Sequence, residues 1–380
     1  MVAKVGIVAV AQTKYSPDRC DVNEEELAWE AIKPVLEETG LSLWDIASAV
    51  SCSQDFWDGR TISNMNVQHV VGAHLQHEDK VCEDGINAVF IAMGQILSGH
   101  HDVILLVSHM KESQGEKSVI ENAAFDPAMM RQLGLDFTSA AALQARRYMY
   151  KYGVTARQCA GAVVRNYANA KNNPCAQNAE DLTIDDVLGS GMVAAPIRAL
   201  DAKPISDGAV AMILATEEKA KQICKKPVWI RGVSNCYETH YLGDRELADC
   251  DALATASRKA YGMAGIKNPA KEIDLVEIST EYSYQEPLWL EGLGFCGRGE
   301  GGDLVNSRAV AMGGKLPVNP SGGMLPGVPN GVSGLARVAE CTLQLRGEAG
   351  ERQVKGASTA LAHGYTGMCG QHQSVVILGN

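Results

Sequence analysis

The sequence predicts an α/β fold built twice. Three observations carry this. The order strand, helix, Gly-aliphatic stop, Asp-led strand occurs near the start of the chain and again about half a chain later. Several continuous apolar runs have the length and composition of strands buried on both faces. At 380 residues, with 46% apolar and 21% charged, the chain is long enough for two domain-sized units around a large core.

The elements follow in order. Residues 5–10 read as the first strand. Residues 24–38 have helical spacing of apolar positions, Gly40-Leu41 stops that helix, and residues 45–51 form the next strand. The counterparts are a strand at 228–233, a helix at 251–263, the stop Gly265-Ile266, and a strand at 274–278. Apolar runs at 102–108 and 209–214 are buried strands, 86–97 is a buried helix, and 374–378 is a last strand. A polar stretch at about 111–199, with helices near 138–152 and 156–170, interrupts the first half and reads as an inserted substrate-side subdomain. The lysine-rich segment 219–226 marks the junction, so the halves are 1–225 and 226–380.

A net charge of −11 argues against nucleic acid or an anionic membrane as the main partner. No apolar run reaches membrane-spanning length, and the apolar stretch at 5–11 is too short for a secretory signal. The 11 cysteines are odd in number and contain no C-x-x-C pair. This predicts reduced thiols in a cytoplasmic protein. Residues 297–302 match G-x-G-x-x-G but follow no strand, so they predict no dinucleotide site. His74 and His77 lack further spaced ligands, so no metal is expected in this chain.

Cys82 is the most informative residue. It directly precedes the buried helix at 86–97. There the unpaired amides and positive end of the helix dipole favour the thiolate, the nucleophilic form. The alternative is a small buried hydrophobe, which position alone slightly favours.

Four motifs decide between them. Cys82-Glu83-Asp84-Gly85 resembles the Cys-small-small-Gly nucleophile motif of the thiolase superfamily. Residues 204–211 (PISDGAVA) are similar to its P-x-x-DGAAA strand entry. Residues 318–323 (VNPSGG) resemble its most specific turn. His363-Gly364, with the glycines up to Gly370, resembles the HGxGG loop of members that pair with a small zinc-ribbon/OB-fold subunit. The resemblance spans nearly the whole chain. It implies a duplicated thiolase fold, five-layer αβαβα, with the insertion as a loop subdomain. There are departures too. Gly327-Val328-Pro329 stands where Gly-His-Pro is usual, and Ser279-Thr280-Glu281-Tyr282 stands where His-Asp-Cys/Ala-Phe occurs. Both usual histidines are absent.

The resemblance then implies thiolytic (retro-Claisen) cleavage of a branched or aromatic 3-oxoacyl-CoA through an acyl-Cys82 intermediate, with 2-benzoylsuccinyl-CoA as the narrowest expectation. Coenzyme A is a substrate here, and any zinc belongs to the partner subunit of an α₂β₂ assembly with a homodimeric core. His363 is the surviving base, with a hydrogen-bonded core histidine as its alternative, and His109 is a second candidate. Cys369 is either a proton-shuttling thiol or structural. Glu281 is an acid or base if burial raises its pKa, and otherwise a surface carboxylate. Gly367 and Gly370 offer amides to an oxyanion. Ser279 and Asn319 are expected to face the substrate, although fixing the turn is the main role of Asn319, and Tyr282 either lines the acyl pocket or, by default, packs in the core. Two other functions stay open: a thiolase-fold retro-aldolase on a steroid-like side-chain CoA ester, which needs no cysteine, and a non-catalytic acyl-CoA or lipid-binding protein.

Overall fold

The computed structural model describes residues 4–82 and 84–380. Its strands are β1 (Val5–Gln12), β2 (Ser48–Cys52), β3 (His77–Val81), β4 (Val103–Lys111), β5 (Met192–Ala194), β6 (Ile197–Arg198), β7 (Asp207–Thr216), β8 (Val228–Tyr237), β9 (Leu275–Ile278), β10 (Thr359–Thr366) and β11 (His372–Gly379). β5 and β6 form a small separate hairpin; the others lie in the order β3-β2-β4-β7-β1-β8-β11-β10-β9.

The duplication is visible in the pairing. β2 runs parallel to β4, β4 antiparallel to β7, and β7 antiparallel to β1. β9 runs parallel to β10, β10 antiparallel to β11, and β11 antiparallel to β8. The two sheets meet only where Gly6 and Ile7 of β1 pair with Trp229 and Val228 of β8. The helices Gly85–Leu97 and Asn330–Arg346 pack on each other and on strands of both halves, so they form the middle layer. Helix Glu24–Thr39 covers the outer face of the first sheet, and helix Asp251–Ala264 covers that of the second. The result is the αβαβα sandwich. Helix Asn330–Arg346 is buried around most of its circumference, which suits a helix between two sheets, whereas helix Gly85–Leu97 leaves Phe90 and Leu97 exposed.

The expected elements recur with small shifts. The strand expected at 45–51 begins at Ser48, because Leu43–Asp45 is a short 3₁₀ turn closed by Asp45 accepting from Ser42. β3 was not expected. Its sequence His-Glu-Asp-Lys-Val has no apolar alternation, and it lies at the sheet edge, where polar side chains are tolerated. Residues 301–305 do open a short helix after the G-x-G-x-x-G match, but no strand precedes it. Helices Phe137–Tyr152 and Ala156–Ala170 start at the capping boxes Asp136/Ser139 and Thr155/Gln158 and pack against elements of the C-terminal part of the chain. Among the described residues, no helix is long and apolar enough to cross a membrane.

Candidate active site

Cys82 lies in the bend between β3 and helix Gly85–Leu97 and is exposed. It does not cap the helix. Asp84 is the N-cap, with its Oδ1 accepting from the Ile86 amide at 2.7 Å. Glu83, the second residue of the expected nucleophile motif, lies outside the described residues. The bend is tied to the second half of the chain, because Asp84 Oδ2 accepts from Ser374 Oγ at 2.6 Å. Oδ1 rests on Gly364 of β10 and Gly334 of the middle helix, where a Cβ on Gly334 would come within 2.5 Å of it.

Next to those glycines is a narrow cavity of about 20 Å³. Ser279, Glu281, Asn330, Ser333, Tyr365 and Gly367 contribute to its wall, with Phe137 and Met324 as apolar lining. Cys82 is not itself in the wall. It reaches the cavity's neighbourhood through Asp84, whose contacts Gly334 and Gly364 adjoin Ser333 and Tyr365.

Three predicted residues are therefore brought together: Ser279, Glu281 and Gly367. Ser279 shares a 2.6 Å hydroxyl contact with Ser333. Gly367 has a φ of 75°, which glycine alone adopts without strain. Glu281 is buried, as its strand context suggested, but its electrostatics are the reverse of the expectation. Burial pushes its carboxyl up, yet Lys117 at 2.7 Å, with Lys203, outweighs burial and holds it below the ordinary value. It is thus a carboxylate at neutral pH.

The other candidates sit elsewhere. His363 does not open a loop; it lies inside β10, fully buried, with Nε2 2.7 Å from Gln373 Oε1. Burial lowers its pKa to about 4, so it is a neutral and weak base near pH 7. Cys369 sits in an apolar cluster with Phe125 and Met130, its thiol donating to the Ala140 carbonyl. Burial pushes that thiol up to about 12, which does not suit proton shuttling. Asn319 spends its amide internally: Oδ1 accepts from the Ile278 amide at 2.7 Å, and Nδ2 contacts Asn166 and Glu286. It builds the turn and does not contribute to the cavity wall described above. Tyr282 is buried in the core with its hydroxyl 3.0 Å from Thr138 Oγ1, again away from the wall. His109 is buried in β4, and burial lowers its pKa.

Sequence reasoning missed Lys117, Asn330 and Tyr365. Tyr365 had a signal, since it follows His363 by two residues and so shares its face of a strand; the two rings stack at 6.2 Å. Tyr365 Oη accepts from the Glu281 amide at 3.2 Å and donates to Gln285 Oε1 at 3.1 Å. Lys117 had none, being 164 residues from Glu281.

The Lys117 cluster also carries Glu121, whose Oε1 is 3.6 Å from the lysine. Burial raises the Glu121 pKa from 4.5 to about 8, with Lys117 only partly offsetting it. A carboxyl that keeps its proton longer when folded makes stability fall as pH rises between those two values. Glu121→Gln is expected to flatten that slope, leaving the variant less pH-sensitive than wild type between pH 5 and about 8 in urea unfolding. An unchanged slope would contradict the burial argument.

Comparison with known proteins identifies the family. Residues 5–218 match the family "Thiolase, N-terminal domain", and residues 234–380 match "Thiolase C-terminal domain-like". The acetyl-CoA acetyltransferase of Methanothermobacter thermautotrophicus is 34% identical over 377 residues, covering 96% of this chain and 97% of that protein. The benzoylsuccinyl-CoA thiolase subunit BbsB of Thauera aromatica is 30% identical over 297 residues, covering 77% of this chain and 76% of that one. In structure, the Ltp2-ChsH2(DUF35) aldolase superposes with a TM-score of 0.85 at 23% identity, covering 99% of this chain and 97% of that one. That last likeness speaks for the fold alone. With both family domains matched in order across nearly the whole length, this chain belongs to the thiolase family and is an acyltransferase of it.

Proposed function

We propose that this chain cleaves a branched or aromatic 3-oxoacyl-CoA by thiolysis, with Cys82 as the nucleophile. The Cys82 thiolate attacks the ketone carbon and forms a tetrahedral alkoxide. The carbon–carbon bond then breaks. Its electron pair leaves with the departing acyl-CoA as an enolate, which takes up a proton. The CoA thiolate next attacks the acyl-Cys82 thioester, releases the second acyl-CoA and regenerates the Cys82 thiolate. The hydroxyl of Ser279 and the amide of Gly367 are the donors proposed for the developing oxyanions. Glu281, anionic beside Lys117, is a fixed negative charge and hydrogen-bond acceptor at the cavity wall.

One observation carries the reading. Cys82 is solvent-reachable on a bend anchored through Asp84 beside the cavity, whereas Cys369 is sealed in the core. The narrower assignment, 2-benzoylsuccinyl-CoA to benzoyl-CoA and succinyl-CoA, is supported by the likeness to BbsB. With it comes the proposal of a small zinc-ribbon/OB-fold partner in an α₂β₂ assembly, with coenzyme A as a substrate. The halves are proposed to divide at 225/226, with 111–199 as the insertion.

A retro-aldolase is the second reading. It is favoured by the cavity wall itself, which carries Glu281 and Tyr365 but not Cys82. Intact-mass measurement after mixing with acyl-CoA substrates separates the two. A covalent acyl adduct that vanishes in Cys82→Ala is the expected result. Turnover that persists in Cys82→Ala favours the aldolase, and binding with neither adduct nor turnover leaves only an acyl-CoA-binding protein.

A further inference from the structure

The connection between β10 and β11 carries the cavity-wall residue Gly367, and it is held in a strained shape from outside. The Gly370 amide donates to the Gly367 carbonyl at 3.2 Å, so residues 367–370 form a β-turn. Of its two central residues only Cys369 has a positive φ, 53°, which is the type II pattern. That position ordinarily takes glycine or asparagine. Cysteine there is strained, because its Cβ crowds the following carbonyl oxygen. Such a conformation persists only where the surroundings impose it.

Arg245 is the main restraint. It follows the 3₁₀ turn Leu242–Asp244, between β8 and helix Asp251–Ala264. Its Nη1 donates to the Met368 carbonyl at 3.0 Å and its Nη2 to the Cys369 carbonyl at 2.7 Å. The Met368 carbonyl belongs to the central peptide of the turn, the unit that must flip for Cys369 to leave its positive φ. Gln144 Nε2 donates to the Cys369 carbonyl as well, at 3.3 Å, with its own Oε1 oriented by the Tyr284 hydroxyl at 2.8 Å. Gln373 Nε2 holds the Gly370 carbonyl at 3.0 Å. Among the described residues Arg245 makes no salt bridge, so its guanidinium is committed to these two carbonyls.

The restrained turn begins on the cavity wall. Gly367 lines the cavity, and its amide has no acceptor among the described residues. Its φ of 75° and the bond from Gly370 to its carbonyl tie its orientation to the rest of the turn. We propose that Arg245 is a positioning residue for the reaction: it locks turn 367–370 with Cys369 left-handed and so keeps the Gly367 amide where an oxyanion forms. The proposal rests on the reading of Gly367 as an oxyanion donor. It holds for either bond cleavage, because retro-Claisen and retro-aldol steps both leave an enolate on a CoA thioester.

The test is steady-state kinetics on a CoA ester that the wild type cleaves, with rates expressed per folded molecule. Arg245→Met removes both donors. It is expected to lower kcat about 10- to 100-fold and to leave KM within about twofold, since an oxyanion donor acts mainly in the transition state. Arg245→Lys, which returns an N–H donor, should recover part of the loss. The readout that a merely structural role does not move is the Cys369→Gly background. Glycine takes the left-handed conformation freely, so there Arg245→Met is expected to cost less than about threefold. A kcat untouched by Arg245→Met, or a loss that Cys369→Gly does not relieve, overturns the proposal. If Arg245→Met does not fold, Arg245→Lys is read in both backgrounds by the same criterion: a kcat loss relieved by glycine supports the restraint, and no loss or an unrelieved one overturns it. The acyl adduct on Cys82 reports on thiolysis separately. An adduct with unmoved kcat defeats the positioning role alone, and a relieved kcat loss without an adduct defeats thiolysis alone.

Discussion

Replacing Arg337 with methionine is expected to cost about 3–5 kcal/mol of stability, the usual result of breaking a buried ion pair from one side. Arg337 sits in the middle helix Asn330–Arg346 and is 2% exposed. Its Nη1 donates to Glu277 Oε2 at 2.6 Å and to Ser321 Oγ at 2.7 Å. Glu277 in turn accepts from the Ser321 amide at 2.9 Å and from the Ser321 hydroxyl at 2.8 Å. The guanidinium, the carboxylate and the Asn-Pro-Ser-Gly-Gly turn therefore form one network that holds β9 to the middle helix. Methionine fills much of the volume but supplies neither charge nor donor.

Burial pushes the Glu277 carboxyl up, and Arg337 is the first influence that pulls it back. Without the arginine, Glu277 keeps its proton to still higher pH. A carboxyl with a raised folded pKa withdraws stability as pH increases above its unfolded value. The loss in Arg337→Met should therefore be larger at pH 8 than at pH 6, read as a wider gap in urea midpoints. Adding Glu277→Gln should recover a large part of it, since the buried charge then disappears. A single-variant loss under about 1 kcal/mol would mean that the pair is better solvated than its burial implies.

The parts of the fold legible in the sequence were those encoded locally. β1, β4, β7 and β11 announce themselves as apolar runs because both faces of each are covered. Gly40 and Gly265 end equivalent helices in the left-handed conformation, so the duplication showed in two glycines half a chain apart. The cysteine bend was legible for the same reason: Cys82, Asp84 and Gly85 are consecutive signals at one helix start. Long-range electrostatics were not legible. Whether Glu281 rises or falls depends on Lys117, 164 residues earlier in the chain, and no spacing rule links positions so far apart. His363 was misplaced by one local ambiguity. The glycines after it read as a loop, yet Gly364 is a strand residue whose missing Cβ makes room for Asp84. The same absence of a side chain can mark a turn or a close approach, and only the packed partner tells them apart.

Gly85 is a close approach of that kind, and Gly85→Ala is expected to be the most damaging small change near the site. A Cβ there would lie 2.5 Å from the Leu335 backbone nitrogen and 2.8 Å from its Cα. These are main-chain atoms of the facing middle helix, so no side-chain rotation relieves the clash and one helix must move. Overpacking of this type costs about 1–3 kcal/mol. The functional effect should exceed the stability effect, because the helix start carries Asp84 and the Cys82 bend, and a displacement near 1 Å can cost about a hundredfold in rate. Gly94→Ala gives the control within the same helix. No atom lies within 4 Å of a Cβ at Gly94, so alanine there only removes backbone freedom and should stabilise by about 0.4–1 kcal/mol. Thermal unfolding together with the rate of Cys82 acylation separates the two positions. Equal and mild effects at both would show that the middle helices slide past each other easily, and the bend would then need another source of rigidity.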